Sequence, residues 1–213
     1  MAVVATGAIF LDRDGVINVN RTDHVKSWDE FVFIAGALKA IQRLTLTGLP
    51  IFVVTNQAIV NRGKVTADII EDIHCRMIAQ IKQAGGNITK VYYCPHDSHE
   101  ACDCRKPAPG MLKQAAVEFG IDLTRSYIIG DAWTDLQAGL AVGARSILVM
   151  TGRGQKYFHH CLTQYPVRVG AACDLSDATD MVISALEGDH MDTTPRLRRA
   201  FHMALHPEEL IVL

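Results

Sequence analysis

Ile9-Phe10-Leu11-Asp12-Arg13-Asp14-Gly15-Val16-Ile17-Asn18 is an apolar run that stops abruptly at two carboxylates one residue apart. A short buried strand ending at Leu11 would deliver Asp12 and Asp14 to the carboxyl edge of a sheet, where α/β folds place their ligand crevices. In extended backbone, residues i and i+2 point the same way. Two like charges held that close resist joint ionisation unless a cation sits between them or one keeps a proton. Gly15 lets the backbone turn away from whatever binds there. A solvated Asp-Arg-Asp-Gly turn would use the same residue types, so the rest of the chain must decide.

Downstream, the polar stretch 18–30 and the apolar patch 31–36 read as a loop over the sheet edge. Ala37, Leu38, Ile41, Leu44 and Leu46 recur at near-helical spacing, with Gly48 as a stop signal. The all-apolar run Ile51-Phe52-Val53-Val54 is of the kind that parallel sheets bury on both faces, and it ends in Thr55-Asn56-Gln57. A helix is expected from an N-cap at Thr66 to about Gln83, with an apolar stripe of Ile69, Ile73, Met77, Ile78 and Ile81. Strands are expected at 91–93, 126–129 and 146–150, and helices at 110–119, 135–142 and 176–186, the last packed at the sheet edge. The alternation predicts a parallel sheet in a three-layer, Rossmann-like α/β fold. Residues 1–187 read as one domain, and 188–213 as a tail that docks or stays mobile.

A net charge of −2 over 213 residues gives no basic footprint for nucleic acid or an anionic membrane. With no signal-like amino terminus and no apolar stretch near the roughly 20 residues that span a bilayer, the expectation is a cytoplasmic protein acting on a small molecule.

Three expected strands end in complementary polar groups: Asp12 and Asp14, then Thr55 and Asn56, then Asp131 and Asp135. Carboxylates gathered in one crevice suit Mg²⁺, which leaves coordination positions for water and phosphate. Thr55 and Lys106 then supply a hydroxyl and a positive charge for phosphoryl oxygens. Three of the six cysteines crowd into 94–104, where Cys94, His96 or His99, Cys102 and Cys104 suit tetrahedral Zn²⁺. Four protein ligands leave no open position, so zinc is expected to brace the loop that presents Arg105 and Lys106. Cys75, Cys161 and Cys173 are expected to be core thiols.

The order Asp-x-Asp-Gly at 12–15, Thr-Asn-Gln at 55–57, Arg-Lys-Pro at 105–107 and Gly-Asp-x-x-x-Asp at 130–135 resembles the haloacid dehalogenase superfamily of phosphatases over roughly residues 7–153. Within it the stretches 12–18, 55–57, 94–96 and 102–111 and the Thr-Gly turn at 151–152 resemble the heptose bisphosphate 7-phosphatases, with the histidinol phosphatases as runner-up. The resemblance implies that Asp12 is the nucleophile and Asp14 the general acid and base. It implies that Asp12, the Asp14 carbonyl and Asp131 hold magnesium, that Asp135 supports them, and that His96 ligates zinc in preference to His99. It also implies substrate contacts from Asn20, Arg21, Thr22, Asp23, Asn56, Gln57 and Arg105, no large cap domain, and a monomer acting on a sugar phosphate.

Ala58, Ile59 and Ala132 depart from the pattern of many relatives and bear on the sugar recognised. The short zinc loop speaks for the histidinol branch, whereas 105–111 and 23–30 speak for the heptose branch. A non-catalytic sugar-phosphate binder would typically have lost the nucleophile or the acid, and both are present. A phosphotransferase to an alcohol would use the same residues.

Overall fold

A computed structural model describes residues 6–164 and 169–188. The tail beyond residue 188 and the Cys161 side chain lie outside what it describes. Six strands, β1 (Ile9–Leu11), β2 (Ile51–Asn56), β3 (Lys90–Cys94), β4 (Tyr127–Gly130), β5 (Arg145–Val149) and β6 (Val169–Ala172), form one sheet in the order β3-β2-β1-β4-β5-β6. Every pairing is parallel. β1 is central, so the residues just past it sit between the ends of β2 and β4.

The strands bury both faces, and β1 shows how. Ile9 and Leu11 face a core shared with helices α1 (Ala37–Thr45), α2 (Ala67–Gln83) and α6 (Leu175–Leu186). Phe10 faces the opposite core, with Met111, Leu112 and Ala115 of α3 (Gly110–Phe119) and Ala138 of α4 (Trp133–Leu140). Helix α5 (Gly154–Gln164) adds Phe158 to a third cluster, with Leu136 and Leu148. This is the expected three-layer architecture. Among the described residues there is no inserted cap domain, and no helix is long and apolar enough to cross a membrane.

Several local expectations are corrected. In α2 the buried stripe is Ile70, Ile73, His74, Met77 and Ile81, whereas Ile69 is exposed. Ile73, Met77 and Ile81 keep their expected places, and His74 also faces inward, toward a buried arginine described below. Cys75 is exposed and is no core thiol, whereas Cys173 is buried. Thr66 stands at the N-cap of α2 but makes no side-chain cap hydrogen bond. α6 lies on the sheet face beside α1 instead of at the edge, and Arg43 of α1 reaches Asp180 of α6 at 2.6 Å. β6 and α5 escaped the pattern reading. β6 reads Val-Gly-Ala-Ala, with little β-branched bulk to mark it as a strand, and a Cβ at Gly170 would fall 2.7 Å from the Met181 side chain.

The segment 12–36 crosses the end of the sheet. Arg13 carbonyl accepts from the backbone N–H of Val16, Ile17 and Asn18, which curls the chain immediately after β1. A stacked pair, Trp28 and Phe31, with Phe33 edge-on to both, then seats the segment on the core.

Candidate active site

Asp12 is the first residue beyond β1 and Asp131 the first beyond β4. Asp135, in the first turn of α4, reaches back to accept from Ala132 N–H at 3.0 Å. The carboxylate oxygens of Asp12, Asp131 and Asp135 lie within 4.8 Å of one another, all buried. Lys106 enters from the loop before α3. Its ammonium stands 2.9 Å from Asp12 Oδ1 and 2.5 Å from Asp135 Oδ1, and donates to Val54 carbonyl at 2.7 Å. Asn56 fixes the backbone of Lys106 on both sides: its Oδ1 accepts from Lys106 N–H and its Nδ2 donates to Lys106 carbonyl, each at 3.0 Å. Arg153 covers Asp131 from outside, donating its backbone N–H to Oδ2 at 2.8 Å and its guanidinium to Oδ1 at 3.3 Å.

Two glycines make this crowding possible. Gly15 (φ +88°) and Gly152 (φ +60°) pass so close to Asp131 that a Cβ on either would fall 2.2 Å from its Oδ2.

Burial pushes the Asp12 carboxyl up to about 7, with Lys106 opposing and the other acids adding to the rise. Asp131 is pushed up to about 6, first by burial and then by Asp135, against Arg153. Burial would lower the Lys106 ammonium, but Asp12 and Asp135 hold it above its usual value. A buried set of oxygen donors whose proton affinity is raised by burial and mutual repulsion fits a hard divalent cation, which takes the place of the missing positive charge.

Asp14 does not share that cluster. The chain has left extended geometry after Asp12, so the i, i+2 rule no longer applies, and the Asp14 carboxylate turns to a separate set of donors. Arg13 Nη2 reaches both oxygens at 3.0 and 2.9 Å, Asn18 Nδ2 reaches Oδ1 at 2.9 Å, and Gln57 Nε2 reaches Oδ2 at 2.8 Å. Burial alone would raise this carboxyl, yet Arg13, Asn18 and Gln57 together hold it below the ordinary range.

Cys94 ends β3, and the loop after it returns to bring four ligand atoms together. Cys104 Sγ lies 3.1 Å from Cys94 Sγ and 3.6 Å from Cys102 Sγ, and His96 Nδ1 lies 3.4 Å from Cys94 Sγ and 3.2 Å from Cys104 Sγ. Three sulfurs and one imidazole nitrogen at this spacing suit a tetrahedral metal. His99, the alternative ligand, is exposed and points to Asp97.

Asp12 and Asp14 open into a cavity of about 790 Å³ whose wall also carries Thr55, Asn20, Arg21, Thr22, His24, Asn56, Arg62, Arg105, Lys106 and Arg153. A buried carboxylate at the floor of a cleft rich in cations is suited to an anionic substrate.

Residues 103–171 match the HAD-hydrolase-like family model. The D-glycero-beta-D-manno-heptose-1,7-bisphosphate 7-phosphatase of Pseudomonas aeruginosa is 40% identical over 146 residues, covering 68% of this chain and 82% of the relative. The Escherichia coli K12 protein of the same name is 41% identical over 155 residues, 68% of this chain and 80% of the relative. The crystal structure of D,D-heptose 1,7-bisphosphate phosphatase from B. bronchiseptica, complexed with magnesium and phosphate, superposes with a TM-score of 0.80 at 34% identity, covering 84% of this chain and 99% of that one. The chain belongs to the heptose bisphosphate phosphatase family of haloacid dehalogenase-type hydrolases.

Viewed as a member of that family, the chain places its expected site residues unevenly. Asp12, Asp14, Thr55, Asn56, Arg105, Lys106 and Asp135 line the cavity, as do Asn20, Arg21 and Thr22. Asp131 sits behind them under Arg153. Asp23 is turned away, paired with Lys26 and, at 3.1 Å, with Arg21. Gln57 is fully buried and absent from the cavity wall, its amide spent on Asp14 and on Thr55 Oγ1 at 2.9 Å. Thus Asn56 holds the Lys106 backbone as well as facing the cavity, and Gln57 contacts Asp14 and Thr55 instead of the cavity. The cavity wall also carries His24, Arg62 and Arg153, and Asp14 has Arg13 and Asn18 as neighbours with His74 behind Arg13, none of them singled out as site residues by the sequence pattern. Arg153 had a signal, since it closes the polar turn after β5. Arg62, which pairs with Asp97 of the cysteine loop at 2.6 Å, had none.

Proposed function

We propose that this chain is a phosphomonoesterase that uses magnesium and removes the 7-phosphate of D-glycero-D-manno-heptose 1,7-bisphosphate. The observation that carries the reading is the Asp12 carboxylate, buried at 4% exposure on the floor of a cation-lined cavity with Lys106 fixed against it. The names of its relatives supply the sugar.

Asp12 Oδ attacks phosphorus in line with the bond to the sugar oxygen, forming an aspartyl-phosphate as that bond breaks. Asp14 gives its proton to the departing oxygen, then takes one from the water that hydrolyses the intermediate. In the free site its donors favour the ionised form. A phosphate dianion arriving beside it raises its affinity for a proton, so the acid is loaded as substrate binds. The Thr55 hydroxyl and Lys106 ammonium hold the non-bridging oxygens. Magnesium would be held by the Asp12 and Asp131 carboxylates and the Asp14 carbonyl, with Asp135 supporting, and when bound it neutralises charge on the phosphoryl group. Zinc would be held by Cys94, His96, Cys102 and Cys104, closing the loop that carries Arg105 and Lys106.

Asn20, Arg21, Thr22 and Arg105 face the sugar and its second phosphate. Histidinol phosphate is the second reading, favoured by the short loop 94–104. It carries one phosphate and a cationic amine, and Arg21, Arg62, Arg105 and Arg153 around the cavity suit two phosphates better.

The test is phosphate release with Mg²⁺ from both anomers of the bisphosphate beside histidinol phosphate, with Asp12→Asn as blank. Preference for the bisphosphate supports the reading. Preference for histidinol phosphate transfers the enzyme to that substrate, and no turnover above the blank sinks both.

A further inference from the structure

Arg13 is fully buried and does not line the cavity, so it is not a substrate contact. Its Nη2 alone donates to both oxygens of Asp14, and its other terminal nitrogen, Nη1, lies 3.1 Å from His74 Nε2. Guanidinium has only donors, so Arg13 donates and His74 Nε2 accepts, which leaves the imidazole proton on Nδ1. His74 projects from α2, nearly buried, with its ring packed against Tyr93 at 5.6 Å between centroids. Burial, reinforced by Arg13, pushes the imidazole down to about 3, consistent with a neutral acceptor.

The other donors to Asp14 show the same bias. Asn18 Oδ1, Gln57 Oε1 and Arg13 Nε are buried without a hydrogen-bond partner. Natural interiors rarely leave such atoms unpaired, and each instance calls for a reason. Here all three residues direct a terminal nitrogen at a single carboxylate, Arg13 Nη2, Asn18 Nδ2 and Gln57 Nε2 each donating to Asp14. Flipping either amide would turn its oxygen toward the negative charge of Asp14.

We propose that His74 is a positioning residue for proton transfer, fixing the Arg13 guanidinium, whose Nη2 in turn aims the Asp14 carboxylate at the leaving-group oxygen. The inference rests on the reading of Asp14 as general acid. It assigns a role to a helix residue that touches neither substrate nor metal.

The test compares kcat/KM, which reports steps only through the first phosphoryl transfer, for two substrates. The heptose bisphosphate expels an alkoxide that needs a proton, whereas p-nitrophenyl phosphate expels a stable phenolate that does not. His74→Leu, which removes the acceptor, should lower kcat/KM for the bisphosphate about tenfold, part of the roughly 10²–10⁴-fold that a positioned proton donor supplies. The loss on p-nitrophenyl phosphate should be much smaller. His74→Gln, which keeps an acceptor near the Nε2 position, should recover most of the difference. If His74→Leu does not fold, Arg13→Lys, which keeps the charge and loses the two terminal nitrogens that bridge Asp14 and His74, should show the same selective loss. Equal losses on both substrates, or none on either, overturn the inference while leaving the phosphatase reading intact. Absence of wild-type turnover above the Asp12→Asn blank on both substrates removes that reading and the inference with it.

Discussion

Lys106 Nζ lies 2.9 Å from Asp12 Oδ1, with both side chains almost completely withdrawn from solvent at the carboxyl end of the sheet. A buried ion pair is poor evidence for stability, since desolvating two charges offsets much of their attraction. Its value here is electrostatic. Lys106 opposes the burial that drives Asp12 toward protonation, and it presents positive charge where phosphoryl oxygens would lie.

Lys106→Met should therefore lower kcat by about 10²–10³, the usual loss for one preorganised group facing transition-state charge. Phosphate release at saturating substrate and Mg²⁺ checks this. A kcat within tenfold of wild type would remove Lys106 from the reaction.

The cysteine loop gives a prediction that separates two histidines three residues apart. His96 Nδ1 stands within 3.4 Å of two cysteine sulfurs, whereas His99 is 79% exposed. His96→Ala should lose zinc and melt at a lower temperature, because structural zinc contributes folding free energy. His99→Ala should retain one zinc per chain and the wild-type melting temperature. Zinc assays on the purified variants decide it, and the opposite pattern would exchange the two assignments.

Arg105 follows directly from that loop. Its Nη1 donates to His96 carbonyl at 2.9 Å, so the metal loop orients a guanidinium on the cavity wall. Arg105→Met should raise KM for the bisphosphate about tenfold or more, the value of a charge-assisted hydrogen bond. KM for heptose 7-phosphate, which lacks the second phosphate, should change less. Equal changes for the two substrates would place Arg105 at the reacting phosphate instead.

How far the sequence was legible follows from which interactions are local. Fully apolar runs before Asp12, Thr55 and Asp131 announced three buried parallel strands, and strand ends gather at one edge of such a sheet whatever the loops do. The cysteine cluster was legible because its ligands lie in one short loop. Asp14 was misjudged: its side chain leaves the acid cluster because Arg13 carbonyl caps a tight turn directly after β1, a choice made by the backbone and invisible in side-chain spacing. The α2 stripe shares Ile73, Met77 and Ile81 with the sequence pattern but adds Ile70 and His74, the latter unread because a polar residue carries no apolar signal and only a partner 61 positions distant, Arg13, explains why it faces inward. Arg62 and His24 reach the cavity through loop paths that carry no periodic signal.

The same histidine provides a stability test independent of turnover. In the folded chain the His74 imidazole is pushed down to about 3, from 6.5, mainly by burial. As pH falls below 6.5, the unfolded chain takes up a proton that the folded chain refuses. The contribution of His74 is thus fully present above pH 6.5 and is lost progressively as pH falls toward about 3. In His74→Gln that titration is gone. Between pH 8 and pH 5 the stability of wild type relative to His74→Gln should fall by about 2 kcal/mol, as urea unfolding at the two pH values would measure. Other groups titrate in the same range, but they are common to both proteins and cancel in the difference. A relative stability independent of pH would mean that the imidazole takes up its proton in the folded chain as readily as in the unfolded one, and once protonated at pH 5 it cannot accept the hydrogen bond from Arg13.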